Sequence, residues 1–361
     1  MPKETMTSRE RWLAVLNRHT PDRVPMDIWI TPEARTNLLK HMACDWDSAA
    51  KRLHLDLPLN VGGRYVGPPP PPGKNIWGQE HRSVDHGTGA YDEVVNAPLA
   101  KFDSVEEIEA NYVWPKPDHW DYAHIKKEVA GQQHRPIRGG GSEPFLLYKQ
   151  LRGEEQAFMD LVEHADIVEF VLSKLFDLAY ENTRRIFEAI PGQVMISYVA
   201  EDLGGQDTLM YSPRHIRRYF LPGMKRMAQL VRQNGSFVFN HTDGAVRNIL
   251  EDLINVVGIQ VLNPIQWRCP GMEREGLKKD FGSRLIFHGA IDNQQTLPFG
   301  TPADVQQEVA DCLRILGGPT GPKGTGPKGG YILAPCHNIQ SVTPPINILA
   351  MYEAGYELGW M

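Results

Sequence analysis

The stretch Val194-Met195-Ile196-Ser197-Tyr198-Val199-Ala200-Glu201-Asp202 joins a short apolar run directly to two acidic residues. The same order returns in Phe237-Val238-Phe239-Asn240-His241-Thr242-Asp243-Gly244. Between the two stretches, residues 212–233 carry apolar side chains at the spacing of an amphipathic helix. Short buried strands that alternate with helices are typical of βα units on a parallel sheet.

The same pattern extends outward in both directions from this pair. Short apolar runs that predict further strands lie at residues 24–30, 135–139, 258–262, 285–288 and 331–334. Segments with helical spacing lie between several of these runs, for example at residues 143–153 and 160–189. No G-x-G-x-x-G or G-x-x-x-x-G-K-[ST] follows a strand, which disfavours a nucleotide-binding open sheet. The pattern therefore predicts an α/β fold of the (β/α)8 TIM-barrel type.

The barrel is expected to form a single domain over residues 1–361. An N-terminal helical extension falls within residues 1–23, where Thr7 and Glu10 have the spacing of a capping box. Residues 62–100 are predicted to be a loop-rich excursion, since the proline run at 68–72 fits neither a helix nor a central strand. The tandem repeat at 320–329 is interpreted as an insertion in a loop.

Composition excludes several classes of function. The formal net charge is −6, so the chain lacks the basic surface that binds nucleic acid or anionic membranes. No window approaches 18 consecutive apolar residues, and the N-terminus has no apolar signal-peptide core. Four widely spaced cysteines without a CxxC pair fit a reducing compartment, and a cytoplasmic location is expected.

Polar residues that could carry chemistry follow the predicted strands at one end. In a barrel, the carboxyl ends of the strands surround the active site, so we expect these side chains to point into one mouth. They are Glu201, His241, Asp243, Asn263, Asp292 and Cys336.

Imidazole, carboxylate and thiolate are all zinc ligands, and His241, Asp243 and Cys336 supply one of each. Gly244 would permit the backbone turn that this spacing needs. Two alternatives stay open: residues 241–244 can equally be a capping turn before the next helix, and Cys336 can be a buried core thiol. Glu201 could be a fourth ligand or a general base, or it could cap a helix together with Asp202.

The chain resembles the uroporphyrinogen decarboxylase-like superfamily, which includes cobalamin-linked methyltransferases. The resemblance rests on Arg9-Glu10-Arg11-Trp12-Leu13 with Pro21-Asp22-Arg23-Val24-Pro25, on the His241-Thr242-Asp243-Gly244 turn, on Phe287-His288-Gly289-Ala290-Ile291-Asp292, and on Gly330-Tyr331-Ile332-Leu333-Ala334-Pro335-Cys336-His337-Asn338-Ile339 with Thr343-Pro344-Pro345 and Asn347. The family fold is a (β/α)8 barrel, in agreement with the alternation above.

The resemblance favours the methyltransferase branch. The arginine-rich segment of the true decarboxylase, which holds substrate carboxylates, is absent after the first predicted strand. The methyltransferases bind zinc through H-x-C and a later cysteine, which His241 and Cys336 match. Asp243 stands where the first of those cysteines would be, and a carboxylate in place of a thiolate changes the metal affinity and the substrate that the site would favour.

The resemblance thus implies a zinc-dependent methyltransferase that moves a methyl group between a small substrate and a corrinoid or folate-type (tetrahydrofolate) carrier. The metal ligands would be His241, Asp243 and Cys336. Glu201, His241 and Asp292 are assigned to catalysis, and Asn263, His288 and Arg64 to substrate binding. A corrinoid protein is a possible partner, and neither nucleic acid nor membrane is expected.

Two other functions are weighed beside this one. A metal-free decarboxylase or lyase would use Arg64, Arg138 and His288 to bind a substrate carboxylate. A catalytically silent barrel would bind a corrinoid or tetrapyrrole without converting it. Metal content separates the first hypothesis from both alternatives.

Overall fold

A computed structural model describes residues 3–85, 90–319 and 329–361. Its main sheet has seven parallel strands in the order β1-β6-β7-β8-β9-β10-β11. These strands are β1 (Leu59–Val61), β6 (Ile137–Ser142), β7 (Ile196–Val199), β8 (Phe237–His241), β9 (Val261–Asn263), β10 (Ile286–Ile291) and β11 (Tyr331–Pro335). Four more strands form two antiparallel pairs outside this sheet: β2 (Arg64–Tyr65) with β5 (Trp120–Asp121), and β3 (His81–Asp85) with β4 (Ala90–Val94).

Helices connect the strands of the main sheet, as the alternating pattern predicts. They are α1 (Ser8–Leu16), α2 (Pro32–Met42), α3 (Trp46–Arg52), α4 (Val105–Asn111), α5 (Ile125–Val129), α6 (Pro144–Arg152), α7 (Glu154–Glu163), α8 (Ala165–Ala189), α9 (Pro213–His215), α10 (Leu221–Gln233), α11 (Leu250–Asp252), α12 (Arg274–Phe281), α13 (Thr296–Phe299), α14 (Pro302–Ile315) and α15 (Pro345–Leu358). A π-helical turn at Ile216–Phe220 joins α9 to α10, and another lies at Leu253–Val257. Short 3-10 turns lie at Pro117–His119 and Arg247–Ile249.

The sheet is curled and TIM-barrel-like, but the closed eight-stranded barrel is a prediction that needs correction. Residues 24–31 run beside β11 and make only isolated parallel bridges, Met26 with Leu333 and Ile30 with Ile339. Four residues separate the two bridges on this segment and six separate them on the β11 side, so the register does not continue. The N–H groups of Met26 and Ile28 are bound by the side chains of Asp56 and Asp27 instead of by a neighbouring strand. The predicted strand at 24–30 is therefore an extended segment without a regular ladder.

The N-terminal helix α1 covers one end of the sheet interior. Thr7 and Glu10 form the predicted capping box. Trp12 is fully buried and packs in a cluster with inward-facing residues of five strands. These are Ile196, Phe239, Val261, Ile286 and Ile332. The amino ends of the strands thus meet an apolar plug, and the carboxyl ends are left for polar side chains.

A buried ionic cluster holds the start of the chain against the sheet. Arg11 donates to Asp22 at 2.7 Å and to Asp56 at 2.5 Å, and Arg23 donates to Asp56 at 2.8 Å. Both arginines and Asp56 are at most 2% exposed, so their charges are compensated by each other rather than by water. Arg11, Asp22 and Arg23, which belong to the two N-terminal motifs, therefore stabilise the fold.

The last helix packs against this same region. The Tyr352 hydroxyl of α15 donates to the Asp27 carbonyl at 2.8 Å, and the Val24 N–H donates to the Gly359 carbonyl at 2.8 Å. Arg23 and Trp360 form an antiparallel bridge. The first and last parts of the described chain therefore pack together beside β11.

The described parts of residues 62–100 contain β2 and the β3–β4 hairpin but no strand of the main sheet. The repeat at 320–329 lies, except for Gly329, outside the described residues. Within the ranges that are described, no helix combines the length and apolar character needed to cross a bilayer.

Candidate functional site

The turn after β8 brings Asp243 back beside His241. Gly244 has φ +79°, and a Cβ there would lie 2.3 Å from the Gly205 carbonyl oxygen. Only glycine fits both the left-handed conformation and the close approach, so the turn depends on it. The result is a distance of 3.9 Å between His241 Nε2 and Asp243 Oδ1.

His337, at the end of β11, completes a group of three possible metal ligands. Its Nε2 lies 4.0 Å from Asp243 Oδ2, and one donor atom each of His241, Asp243 and His337 lies within 4.8 Å of the others. Among the described residues this is the one group of three or more histidine, cysteine or carboxylate side chains so arranged. Two imidazoles and a carboxylate form a donor set that suits zinc and related divalent ions.

Asp243 shows that this group fits a cation. Its Oδ1 is buried and has no hydrogen-bond partner among the described residues. Burial raises the pKa of the Asp243 carboxyl, while the neighbouring His241 and His337 oppose that shift. A buried carboxylate oxygen without a donor is costly, and a bound cation would remove that cost.

Two more acidic side chains lie close to this group. Asp202 Oδ1 is 3.7 Å from His241 Nε2 and accepts a hydrogen bond from the Asp243 N–H at 3.2 Å. Burial raises the pKa of Glu143 to about 7, and the carboxylates of Asp202 and Asp243 add to the shift while His241 opposes it. Glu143 can therefore hold or release a proton near neutral pH.

A cavity of about 600 Å³ adjoins His241. Trp29 and Tyr198 stack on the imidazole of His241, with ring centroids 5.4 and 5.7 Å from the His241 centroid. Both aromatic side chains also line the cavity. The other lining residues are Ile28, Ile30, Asn60, Val61, Arg138, Gly139, Gly140, Glu143 and Asn338. A second cavity, of about 230 Å³, has Asp243 and His337 in its wall. Asp243 and His337 are thus open to the smaller cavity, and His241 is next to the larger one through the two rings that stack on it.

Asn263 and His288 lie beneath His241 rather than in the cavity wall. His241 Nδ1 is 2.6 Å from Asn263 Oδ1, and Asn263 Nδ2 is 2.8 Å from His288 Nδ1. His288 Nε2 in turn lies 3.1 Å from Asp27 Oδ2. Asn263 and His288 are fully buried, so the structure places both predicted substrate-binding residues out of reach of a molecule in the cavity.

Cys336 does not join the ligand group. Its thiol donates to the Ile265 carbonyl, with a sulfur-to-oxygen distance of 3.2 Å, and burial raises its pKa well above the usual range. The Cys336 sulfur is also not among the donor atoms that lie within 4.8 Å of one another. The structure therefore brings together two of the three predicted ligands and puts His337, the next residue, in the position expected for Cys336.

Glu201 and Asp292 have their carboxylate oxygens bound by the protein. Both oxygens of Glu201 face the Phe145 N–H at the start of α6, at 3.0 and 3.1 Å, and burial raises its pKa well above the usual range. Asp292 accepts from the N–H groups of residues 294, 295 and 296 and from Arg268 Nε at 2.7 Å. The carboxylates of both predicted catalytic residues are therefore engaged by the protein, although the Glu201 N–H donates to the His241 carbonyl at 3.3 Å.

Arg64 lies at the surface, where it pairs with Glu128 at 2.8 Å and its side chain is 65% exposed. Arg138 instead lines the large cavity and donates to Asn60 Oδ1 at 2.6 Å. Of the two arginines considered from the sequence, the structure places Arg138 near His241.

Sequence reasoning passed over several residues of this site. Asp27, Trp29, Glu143 and His337 were not assigned roles, although Glu143 directly follows β6 and His337 is the second residue after β11. The rule that strand ends carry the site would have included both of them. Asp27 gives no such signal, because its segment forms no strand.

Comparison with known proteins gives a family and a fold. The uroporphyrinogen decarboxylase (URO-D) family model matches residues 94–358. Among solved structures, a methyltransferase from Methanosarcina mazei is similar, with a TM-score of 0.68 and 19% sequence identity over 98% of this chain and 99% of that chain. A search of curated protein sequences found no match. The family resemblance is thus confirmed, and the structural likeness supports the TIM-barrel-like fold.

Proposed function

We propose that this chain, which belongs to the uroporphyrinogen decarboxylase family, is a metal-dependent methyltransferase that moves a methyl group between a small substrate and a corrinoid or folate-type carrier. The observation that carries the proposal is the grouping of His241, Asp243 and His337 around a buried carboxylate oxygen that accepts no hydrogen bond from the described residues. The similar methyltransferase from Methanosarcina mazei supports the class of reaction.

The metal would be held by His241, Asp243 and His337, with zinc as the expected ion. When bound there, it would act as a Lewis acid toward the heteroatom that carries or receives the methyl group. Three protein ligands leave a position open, as in catalytic rather than structural sites. Asp202, which lies 3.7 Å from His241 Nε2, adds negative charge that favours a divalent cation.

The residues of the large cavity would bind and orient the substrate. Trp29 and Tyr198 present aromatic walls beside His241, and Arg138 offers a guanidinium to a polar or anionic group. Glu143 lines the same cavity and would transfer the proton at the departing or attacking heteroatom, a role that sequence reasoning gave to Glu201. A methyl carrier would have to approach this end of the sheet, because the opposite end is covered by α1.

Metal analysis of the purified protein together with a methyl-transfer assay tests the proposal. We expect about one divalent ion per chain, and its removal by a chelator should abolish transfer, with activity restored by zinc. Asp243→Asn should lose both metal and activity, whereas Cys336→Ala should keep both. A metal-free wild type with full activity would contradict the proposal.

A metal-free decarboxylase is the second candidate. It is favoured by Arg138, which lines the cavity and has no carboxylate partner among the described residues. Release of carbon dioxide from a carboxylated substrate by metal-free protein, with loss of that activity in Arg138→Met, would support it. If the protein bound a corrinoid or tetrapyrrole but catalysed neither reaction, the third hypothesis, a non-catalytic binding protein, would be supported.

A further inference from the structure

Three hydrogen bonds in series connect Asp27 to His241 across the interior of the sheet. They run from Asp27 Oδ2 to His288 Nε2 at 3.1 Å, from His288 Nδ1 to Asn263 Nδ2 at 2.8 Å, and from Asn263 Oδ1 to His241 Nδ1 at 2.6 Å. All four residues are at most 4% exposed. Water therefore cannot substitute for a missing partner, and each donor must meet an acceptor.

The direction of the series is set at Asp27. Its Oδ1 accepts from the Ile28 N–H at 2.9 Å, and its Oδ2 accepts from the Trp29 indole N–H at 3.2 Å. Peptide and indole N–H groups can only donate, so this carboxylate is surrounded by donors and acts as an acceptor. His288 must therefore donate to it from Nε2.

When His288 is neutral, each following group has one consistent arrangement. A neutral His288 that carries its proton on Nε2 has a lone pair on Nδ1, which must accept from the amide of Asn263. That amide then presents its oxygen to His241. Because the oxygen can only accept, His241 must carry its proton on Nδ1.

We propose that Asp27, His288 and Asn263 form a positioning relay that holds His241 in the Nδ1–H tautomer, with the lone pair of Nε2 facing Asp243. The proposal rests on the proposed function only in that the lone pair is there to bind a metal. A histidine ligand usually donates its second N–H to a carbonyl or carboxylate, and this fixes the ring and its basicity. Here the amide oxygen of Asn263 accepts that N–H, and the Asp27 carboxylate at the far end of the relay sets the orientation of the amide.

The ring of His241 is also held in its plane by the residues that stack on it. Trp29 and Tyr198 lie at interplanar angles of 30° and 27° to the imidazole. Since Trp29 donates its indole N–H to Asp27, one carboxylate fixes both the far end of the relay and one of the stacking rings. Rotation of the imidazole would break the Asn263 bond and the stacking together.

Nuclear magnetic resonance of metal-free protein tests the tautomer without any activity. Long-range proton–nitrogen spectra of histidine-labelled protein, recorded near pH 8 where imidazoles are neutral, distinguish the two tautomers. The His241 signals would be identified by their loss in His241→Gln. We expect His241 to carry its proton on Nδ1 in the wild type and in Asn263→Asp, which keeps an acceptor oxygen, and to show a mixture in Asn263→Leu.

Zinc affinity, measured by competition with a chelator, tests the consequence. Asn263→Leu should bind zinc about 10- to 100-fold more weakly, as is typical when a partner of a histidine ligand is lost, and Asn263→Asp should lose much less. Asn240→Leu is the matched control, because Asn240 is equally buried on β8 but donates to the Val199 carbonyl outside the relay. We expect that control to bind zinc nearly as the wild type does.

The results separate this proposal from the proposed function. A wild type that carries the His241 proton on Nε2 would overturn the relay, whatever the metal content. Equal loss of zinc affinity in Asn263→Leu and Asn240→Leu would also overturn it, since a general packing defect would then explain both. A wild type with the Nδ1–H tautomer but no zinc affinity would support the relay and contradict the metal assignment.

Discussion

Asp243 and Asp292 both follow strands of the main sheet, after β8 and after β10, yet their surroundings are opposite. Asp292 accepts three peptide N–H bonds and an arginine, so its charge is fully used within the protein. Asp243 keeps a buried oxygen that has no hydrogen-bond partner among the described residues. An aspartate that is satisfied by its own backbone serves the fold, and one that is left unsatisfied is available to a ligand.

The largest expected effect is on metal binding at the β8 end. Asp243→Asn should weaken zinc binding by more than about 100-fold, because it removes a charged ligand rather than a partner of one. The thermal stability of the metal-free protein should stay equal or rise, since the substitution neutralises a buried carboxylate whose Oδ1 accepts no hydrogen bond from the described residues. Metal content and the melting temperature check the two parts, and a clear drop in melting temperature would contradict the assignment.

At the β10 end we expect the reverse. Asp292→Asn should lower the free energy of unfolding by about 3 kcal/mol, because the amide nitrogen must face an N–H donor and the Arg268 charge loses its partner. Zinc affinity of the folded protein should be unchanged. Denaturant unfolding measures the loss of stability, and chelator competition measures zinc affinity. If Asp292→Asn lost zinc affinity but kept its stability, the contrast between Asp292 and Asp243 would be wrong.

A smaller effect is expected for Glu143, whose carboxyl should make the free energy of unfolding depend on pH. With its pKa raised to about 7, folded Glu143 binds a proton that the unfolded chain, with a pKa near 4.5, has released. The unfolded state therefore binds fewer protons between these two values, and Glu143 lowers stability as the pH rises from about 4.5 to 7. Relative to wild type, metal-free Glu143→Gln should gain about 1 to 2 kcal/mol at pH 8, allowing for solvent screening, and nothing at pH 4.5.

Melting curves of both proteins between pH 4.5 and 8 would measure this difference. A constant difference across that range would mean that the Glu143 carboxyl does not titrate within it. The Glu143→Gln variant should also lose the pH dependence of methyl transfer near neutrality, if Glu143 moves the proton in that reaction.

The smallest effect is expected at the end of β11. Cys336→Ala should cost about 1 kcal/mol of stability, from a lost weak hydrogen bond and a small void, and should leave zinc binding intact. His337→Ala, one residue on, should weaken zinc binding while keeping the melting temperature of the metal-free protein. Equal zinc affinity in these two variants would refute the choice of His337 over Cys336.

The alternating pattern was enough to predict the strands that contain Ile196, Phe239 and Ile332, because short apolar runs between helices have few other solutions. It was not enough at residues 24–30, where the side chains of Asp27 and Asp56 take backbone N–H groups that a strand would use. Such competition between side chains and a ladder depends on residues that are distant in sequence. The spacing of local runs carries no information about it.

For the site, sequence reasoning found His241 and Asp243 because one turn holds both. It assigned the third ligand to Cys336 and not to His337, and a shift of one residue at a strand end turns a side chain to the opposite face. Glu143 was missed for a related reason. The register of β6 shifts between Arg138 and Gly141, where two glycines have positive φ, and such an irregularity re-aims the residues after it.

The packing of α15 against the segment at Asp27 has a consequence for the order of events during synthesis. Asp27 is synthesised early and Tyr352 near the end of the chain, yet the Tyr352 hydroxyl donates to the Asp27 carbonyl. An emerging chain that already contains His241, Asn263 and His288 still lacks the helix that seals Asp27 beneath them. Incomplete chains therefore lack the contact that holds Asp27 in place, and we expect the proposed metal site to reach its full affinity only when the final helix has docked.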